Sequence, residues 1–327
     1  MQSFGLAGSG VYVPATLVHS DELDAHAGRA SGSTSEAYAI RTRARAGKSE
    51  TSSLMAASAA ERALQQAGWR AADVDVLIGG CSVMEQPIPG TALLVQRRLG
   101  IGRSGIAAFD VNATCLSGFL ALDMALMGML AGRWRRAWVF TADIASRALD
   151  FADPEASAIF GDGAAAVALA SEGTQRVLPQ RFESYGDYAD LGRLEAGGTR
   201  LDPHEDIAGF LAASRFRMEG PALFRATARY FRGFLESLLA DAGIARSDID
   251  LVVPHQASAP ALQHLETELG CGRERMVDIF ADHGNQVATR SGATAAIDVQ
   301  AAQRCASGYA QHRLAANLAI IGQTGII

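Results

Sequence analysis

Short apolar runs alternate with longer helical patterns along this chain, and that alternation predicts an α/β fold. The apolar runs are predicted to be buried strands because they are rich in Val, Ile, Leu and Ala and are bounded by turn or polar residues. They cover residues 76–80, 107–111, 137–142, 165–170, 251–253 and 318–321. A large core built on a sheet is therefore expected.

Two helical patterns stand out between these runs. Residues 52–66 place Leu54, Ala57, Ala60 and Leu64 on one stripe, and Gly68 follows as a typical helix stop. Residues 116–130 are apolar on nearly every side. A span of that length is shorter than the roughly 20 residues that cross a bilayer, so it predicts a helix buried at the centre of the fold.

An internal repeat indicates that the fold is duplicated. The segment AGWRAADVDVLIGGCS, which begins at Ala67, matches AGIARSDIDLVVPHQAS, which begins at Ala242. A fainter echo pairs Ser117-Gly118 with Ser291-Gly292. Two echoes in the same order predict two pseudo-symmetric halves, residues 1–173 and 174–327. The two halves carry different candidate catalytic residues. We therefore expect one active site to which both halves contribute side chains.

Composition narrows the class of protein. The chain has 327 residues, is 49% hydrophobic and 20% charged, and has a formal net charge of −6. These values indicate a globular protein and argue against a nucleic-acid binder, which usually presents a basic face. The sequence shows neither a membrane span nor a signal peptide. Its four cysteines have no close metal-ligand spacing, so we expect no metal, reduced thiols and a cytoplasmic protein.

Cys115 is the first candidate for chemistry. It lies in FDVNATCLSGF, between a predicted strand and the start of the apolar helix. Unpaired backbone N–H groups and the helix dipole at such a position favour a thiolate, and a free N–H there can bind an oxyanion. The alternative is a small buried apolar side chain, which is the usual role of a lone cysteine.

His255 and Asn285 are the candidates in the second half. His255 follows an apolar run in LVVPHQAS, where α/β folds place ligand-facing groups, and Pro254 ends that run. Asn285 lies in the turn-rich segment ADHGNQVATRSG, and His283 close by is a rival histidine. A structural histidine and an ordinary turn asparagine are the alternatives.

Six segments together resemble the β-ketoacyl-acyl-carrier-protein synthase III family of the thiolase superfamily, over most of the chain. They are DVNATCLSGF, IFGDGAAAVALA, MEGPALFRATARYF, VPHQAS, ADHGN and IRTRARAGKSETSSLMA. The resemblance implies a duplicated thiolase-like fold with αβαβα layers. It also implies a homodimer that needs no cofactor, with acyl-CoA, a malonyl thioester and acyl carrier protein as substrates or partners.

The same resemblance implies a catalytic triad of Cys115, His255 and Asn285. Cys115 would accept the acyl group from a thioester, and its backbone N–H would be one arm of an oxyanion hole. His255 and Asn285 would donate to the malonyl thioester carbonyl and stabilise the enolate that forms as CO₂ leaves. Two neutral donors suit that step because a carboxylate would oppose the developing charge.

Several positions depart from the family pattern. Tyr38 stands near an expected tryptophan before Arg41, and these two residues with Arg217 are the predicted contacts for CoA or the carrier protein. A second expected arginine falls on Pro154. Ile88, in MEQPIPGTAL, replaces an expected aromatic and is predicted to border a roomier acyl pocket. The final glycine-rich loop is shortened, which makes Gly325 the candidate for the second oxyanion N–H.

Two basic runs have two interpretations. One comprises Arg41, Arg43, Arg45 and Lys48, and the other Arg215, Arg217, Arg225, Arg229 and Arg232. Each is either a solvated face or a surface that meets CoA phosphates or an acidic carrier protein.

The main functional prediction is decarboxylative condensation of an acyl group with a malonyl thioester, in fatty-acid or specialised metabolite synthesis. Two alternatives remain open from the sequence. One is acyl transfer to an alcohol or amine, with His255 as general base. The other is a catalytically silent partner in a heterodimer, which the shortened C-terminal loop favours and the intact triad opposes.

Overall fold

A six-stranded mixed sheet lies at the centre of the structure, a computed structural model that describes residues 3–289 and 317–318. The strands are β1 Ser3–Tyr12, β2 Thr16–His19, β3 Thr42–Arg45, β4 Val76–Gly79, β5 Ala107–Asp110, β6 Arg136–Asp143, β7 Gly163–Val177, β8 Gly192–Arg193, β9 Arg217–Met218 and β10 Asn317–Leu318. The helices are α1 Ser20–His26, α2 Ser33–Tyr38, α3 Ser52–Ala67, α4 Thr91–Arg98, α5 Ser117–Leu130, α6 Pro154–Ile159, α7 Ile207–Ala213, α8 Gly220–Ala242, α9 Ala259–Leu269 and α10 Phe280–His283.

The sheet has the strand order β1-β7-β6-β4-β5, with β10 beside β7. β4 runs parallel to β5 and β6, whereas β7 is antiparallel to β6 and β1. Four predicted strands are confirmed as β4, β5, β6 and the first part of β7. Because the parallel strands β4, β5 and β6 end on the same edge, the residues that follow them are brought together there.

The helix α3 covers one face of the sheet through small residues, as its stripe predicts. Its buried alanines include Ala59 and Ala63, and the strand opposite carries Gly8 and Gly10. A Cβ atom at Gly8 would lie 2.1 Å from the Ala63 carbonyl oxygen. Only glycine at this position lets the strand backbone approach the helix so closely.

The helix α5 covers the other face and is buried on one side only. Ala121, Ala125 and Leu126 pack against Val76 and Ile78 of β4. The opposite side exposes apolar residues, with Met127 at 52% and Leu130 at 41% of full exposure. The prediction of a helix surrounded by protein is therefore wrong for this outer side, because nothing in the described part of the chain covers it.

The internal repeat is visible as two locally similar structures. α3 ends at Gly68 with φ of 68°, and α8 ends at Gly243 with φ of 65°. A short 3₁₀ turn follows each helix, and in each turn an aspartate accepts a hydrogen bond from the backbone three residues earlier. These bonds are Arg70 N–H to Asp73 at 2.9 Å and Ala245 N–H to Asp248 at 2.9 Å. The structural neighbours described below confirm the fold class.

The second copy differs from the first at its strand. The predicted strand at residues 251–253 is reduced to an isolated bridge between Val252 and Met276. Pro254 cannot continue a hydrogen-bond ladder, and Leu251 is exposed rather than buried. The predicted strand at residues 318–321 overlaps β10 at its start and otherwise lies outside the described residues. β7 runs through residue 173, and the boundary between the halves stays a prediction.

A helix that could cross a membrane does not occur within residues 3–289.

The contact between β1 and α3 is testable with a glycine substitution. We expect Gly8→Ala to lower the free energy of unfolding by about 2 kcal/mol or more, since the added methyl group collides with helix backbone that cannot move independently. Gly233→Ala is the control, because Gly233 lies on the exposed side of α8 with nothing near its absent Cβ. It should raise the stability by about 0.5–1 kcal/mol. Urea denaturation measures both, and equal effects would contradict the packing account.

Candidate active site

A strained turn presents Cys115 at the start of α5. The residue lies in a 3₁₀ turn, Thr114–Leu116, between β5 and α5. Ser117 Oγ accepts a hydrogen bond from the Ala113 N–H at 2.9 Å and donates to the Thr114 carbonyl at 2.6 Å. Thr114 has φ of 49°, a conformation that β-branched residues rarely adopt. The predicted location of Cys115 is confirmed, and the turn is held by its own hydrogen bonds.

The surroundings of Cys115 act on its thiol in opposite directions. Burial, together with the charge of Asp143, raises the pKa of the Cys115 thiol to about 12. The backbone contact at the helix start favours the thiolate, as predicted, but desolvation outweighs it.

Asn285 is fixed by a segment of the first half. Its N–H donates to the Ile159 carbonyl at 2.6 Å, and its own carbonyl accepts from the Gly161 N–H at 3.0 Å. Gly284, just before it, has φ of 68° and ψ of −164°, and a Cβ there would lie 2.4 Å from Ile159 O. The HGN motif therefore needs glycine at its centre to pass against the FGDG motif.

The loop after His255 receives the side chain of Asn285. Asn285 Nδ2 donates to the carbonyl of Ala257 at 3.3 Å, two residues beyond His255. Gln256 holds the same loop, donating to the Val277 carbonyl at 2.8 Å and accepting from the Ile279 N–H at 3.2 Å. His255 itself is buried. Asn285 thus contacts the loop that carries His255. The alternative histidine, His283, lies on α10.

Cys115 belongs to the same region of the molecule. It packs against the apolar cluster that contains Phe160 and Val287, and Val287 is two residues from Asn285. Val287 also donates its N–H to Asn285 Oδ1 at 2.9 Å. The turn of Cys115 and the segment of Asn285 therefore adjoin one apolar cluster, and Asn285 contacts the loop of His255. The roles of the three residues stay predictions.

Asp143 is a residue of this region that the sequence analysis missed. It ends β6 and has no exposed surface. Burial raises the pKa of its carboxyl to about 7, while hydrogen bonds from Val83, Ser82 and Ala288 act in the opposite direction. The sequence feature that could have identified Asp143 is its position as an acidic residue at the end of the apolar run AWVFTAD.

The three predicted contacts for CoA or carrier protein lie at the end of α2, directly before β3 and on β9. The guanidinium of Arg41 is exposed and binds Asp282 through two hydrogen bonds, at 2.9 and 2.7 Å. Tyr38 is half-buried against an apolar cluster, and Arg217 is exposed on β9. None of the three is tested by the geometry, so all remain predictions.

The first basic run does not form a single face. Arg43 is only 4% exposed, donates to Ser20 Oγ at 2.8 Å, and has its pKa lowered to about 10 by burial. Both interpretations of the run, a solvated face or a phosphate contact, are therefore wrong for Arg43. Arg45 stacks on Phe151 at 4.2 Å from the ring centre. In the second run, Arg232 is paired with Glu268.

The two remaining predictions concern the acyl pocket and the second oxyanion donor. Ile88 is 86% exposed, so within one chain it does not line an enclosed pocket. Its side chain could border a pocket only together with another molecule. Gly325 lies outside the described residues. Within the described part of the chain, no group of three or more His, Cys, Asp or Glu side chains could hold a metal ion.

Comparison with known proteins identifies relatives across most of the chain. The family model of 3-oxoacyl-[acyl-carrier-protein (ACP)] synthase III matches residues 109–186, and that of its C-terminal region matches residues 239–304. The β-ketoacyl-[acyl-carrier-protein] synthase III of Bordetella petrii is 35% identical over 309 residues, covering 91% of this chain and 89% of the relative. That of Neisseria meningitidis serogroup B is 30% identical and covers 87% of each chain.

Solved structures show the same fold. The 3-oxoacyl-(acyl carrier protein) synthase III of Pseudomonas aeruginosa superposes with a TM-score of 0.80 at 28% identity, covering 92% of this chain and 90% of that one. The corresponding protein of Aquifex aeolicus gives a TM-score of 0.81 at 26% identity, covering 93% and 92%.

The raised pKa of Cys115 predicts how its alkylation depends on pH. Because the thiolate is the reactive form, the rate with iodoacetamide should rise about tenfold per pH unit from pH 7 to 9 without a plateau. Peptide mapping by mass spectrometry resolves Cys115 from the half-buried Cys271, which serves as the internal reference. A plateau below pH 8 would show a stabilised resting thiolate and contradict this account.

Proposed function

The chain belongs to the 3-oxoacyl-[acyl-carrier-protein] synthase III family, and from that premise we propose that Cys115, His255 and Asn285 carry its reaction. The protein is an acyltransferase that condenses an acyl thioester with a malonyl thioester, in fatty-acid or polyketide-like synthesis. The observation that carries the assignment of residues is the bond from Asn285 Nδ2 to the loop of His255. This bond supports the proposal that two neutral donors, His255 and Asn285, lie beside the turn that presents Cys115.

The first half-reaction forms an acyl-cysteine. Cys115 Sγ attacks the carbonyl carbon of the acyl thioester, a new C–S bond forms, and the donor thiol leaves. Since the resting thiol is protonated, its proton must move during the attack, and the leaving thiolate is its final acceptor. The backbone N–H of Cys115 stabilises the oxyanion. Gly325 is proposed to supply the second donor.

The second half-reaction makes the carbon–carbon bond. The bond between the malonyl methylene carbon and its carboxylate breaks, CO₂ leaves, and the electron pair becomes an enolate on the thioester. His255 and Asn285 donate to the enolate oxygen. The enolate carbon then attacks the acyl carbonyl, and Cys115 leaves and regains a proton. No step requires a metal or an organic cofactor.

The acyl donor is proposed to arrive on CoA or on acyl carrier protein. Arg217 and Arg225 are exposed on adjacent elements, β9 and α8, and such cations suit phosphates or an acidic carrier. Tyr38 and Arg41 are the other two residues proposed to contact CoA or the carrier protein. A cytoplasmic setting is proposed as well, since Cys81, Cys115 and Cys271 are free thiols.

Acyl transfer to Cys115 is tested by the intact mass of the protein after incubation with a panel of acyl-CoAs. The native protein should gain the mass of one acyl group, and Cys115→Ala should gain none. Asn285→Asp should keep the adduct but release CO₂ from malonyl-CoA about 100-fold more slowly, because a carboxylate opposes the enolate charge.

Two results would contradict this assignment. An adduct that persists in Cys115→Ala would show that another residue is the nucleophile. Release of CO₂ by Asn285→Asp at the native rate would show that Asn285 does not donate to the enolate. Transfer of the acyl group to an alcohol or amine without CO₂ release would favour the non-condensing alternative. The absence of any adduct would favour the silent-partner alternative.

A homodimer is proposed from the edge of the sheet. β5 is the last strand in the order, so its outer side has no partner among the described residues. Exposed apolar side chains lie on helices beside it, with Leu93 of α4 at 47% and Met127 of α5 at 52% exposure. A second copy that paired along β5 would cover both features, and would bring Ile88 against another chain.

Light scattering during size-exclusion chromatography tests the homodimer. The native protein should have twice the chain mass, and Leu93→Arg should shift it toward the monomer by placing a charge in the interface. Leu211→Arg is the matched control, since Leu211 is similarly exposed, at 58%, on the distant helix α7. A monomeric native protein, or equal effects of the two variants, would contradict pairing along β5.

A further inference from the structure

The carboxylate of Asp143 joins two separate segments of the candidate site. Its Oδ1 accepts from the backbone N–H groups of Ser82 at 2.9 Å and Val83 at 2.8 Å. Its Oδ2 accepts from the Ala288 N–H at 3.1 Å and the Thr289 hydroxyl at 3.4 Å. A fully buried carboxylate is costly unless its oxygens are satisfied, and here each oxygen is satisfied by a different half of the chain.

The first oxygen leads to the turn of Cys115. Ser82 donates its hydroxyl to the Thr114 carbonyl, directly before the cysteine. Asn112 Nδ2 donates to the Ser82 carbonyl at 3.3 Å, and Asn112 Oδ1 accepts from the Thr114 N–H at 2.9 Å. The backbone of Ser82, which Asp143 fixes, therefore determines where this strained turn lies.

The second oxygen leads to the side chain of Asn285. Ala288 and Thr289 follow directly after Val287, a β-branched residue with φ of 54°. That conformation points the Val287 N–H at Asn285 Oδ1, which leaves Nδ2 directed toward Ala257. Two other contacts hold the segment around Val287: Gln286 Nε2 donates to the Asp162 carbonyl at 2.9 Å, and Thr289 Oγ1 donates to the Gly163 carbonyl at 3.2 Å. The bonds from Ala288 and Thr289 to Asp143 add to these contacts in keeping Val287 in an unfavourable conformation.

We propose that Asp143 is a positioning residue for the condensation step, whose two oxygens set the distance between the Cys115 turn and the Asn285 carboxamide. The inference rests on the proposed function, because it concerns the register between the acyl-cysteine and the donors to the malonyl thioester. A negative charge at this point has a second consequence. It raises the pKa values of the thiols of Cys115 and Cys81, the titratable groups on which it acts from the neighbouring segments.

The test substitution is Asp143→Asn, which preserves size. An amide offers an oxygen to one pair of donors and an NH₂ group to the other, so one of the two segments loses its anchor. The matched control is Asp24→Asn. Asp24 is also fully buried, and its carboxylate accepts from the Thr34 N–H at 3.1 Å and the Thr34 hydroxyl at 2.6 Å. These bonds join α1 to α2, and neither helix carries any of the three proposed catalytic residues.

The assay uses malonyl-CoA with the acyl-CoA that gives the largest adduct on the native protein. Asp143→Asn should lower the kcat of condensation about 100-fold with KM for malonyl-CoA changed less than threefold, because binding survives while alignment is lost. The alkylation of Cys115 should shift to lower pH in this variant. Asp24→Asn should keep kcat within about threefold and leave the alkylation profile unchanged.

Equal losses of kcat in the two variants, with the same alkylation profile, would show a purely structural role and overturn the proposal. If Asp143→Asn does not fold, Thr289→Val replaces it. Thr141→Val is then the control, because the buried Thr141 hydroxyl has no hydrogen-bond partner among the residues that the structure describes. Thr289→Val should lower kcat about tenfold more than the control, and equal values would again overturn the proposal. A native protein that neither forms an adduct nor releases CO₂ would instead refute the proposed function.

Discussion

The buried carboxylate of Asp143 is the point where the two halves of the candidate site meet. It ends a central strand, and its hydrogen bonds reach Ser82 and Val83 in the first half and Ala288 and Thr289 in the second. Each of those segments supports a backbone conformation that would be unfavourable alone, at Thr114 and at Val287. The geometry of both Cys115 and Asn285 therefore depends on one carboxyl group that is buried away from solvent.

The architecture that places this group could largely be predicted from sequence. Apolar runs predicted β4, β6 and the first part of β7 because these strands are buried, and a further run predicted the edge strand β5. The stripe of residues 52–66 predicted α3 with its stop at Gly68. The repeat between the segments at residues 67 and 242 reflects two turns that fold alike, with equivalent glycine and aspartate contacts. Cys115, His255 and Asn285 were predicted as a triad from motifs that resemble a known family, and their roles stay predictions.

Other features depend on contacts that a linear pattern does not contain. Arg43 belongs to a basic run, yet on β3, which pairs with β2, it is buried, and burial lowers its pKa. The thiol of Cys115 is desolvated and faces Asp143, so a helix start alone did not predict its protonation. The outer side of α5 is apolar and is not covered by the described part of the chain. A hydrophobic pattern alone cannot distinguish a helix buried in the core from one that is covered by a second molecule.

The central claim is that the acyl group is bound covalently to Cys115 before the malonyl thioester reacts. An order-of-addition experiment in a rapid-quench instrument tests this claim most directly. Mixing the protein with acyl-CoA alone should release one equivalent of free CoA thiol per chain. After removal of the unreacted donor, malonyl-CoA should yield CO₂ and the 3-oxoacyl thioester in one turnover. Release of thiol only when both substrates are present, or no product from the isolated acyl-protein, would contradict the account.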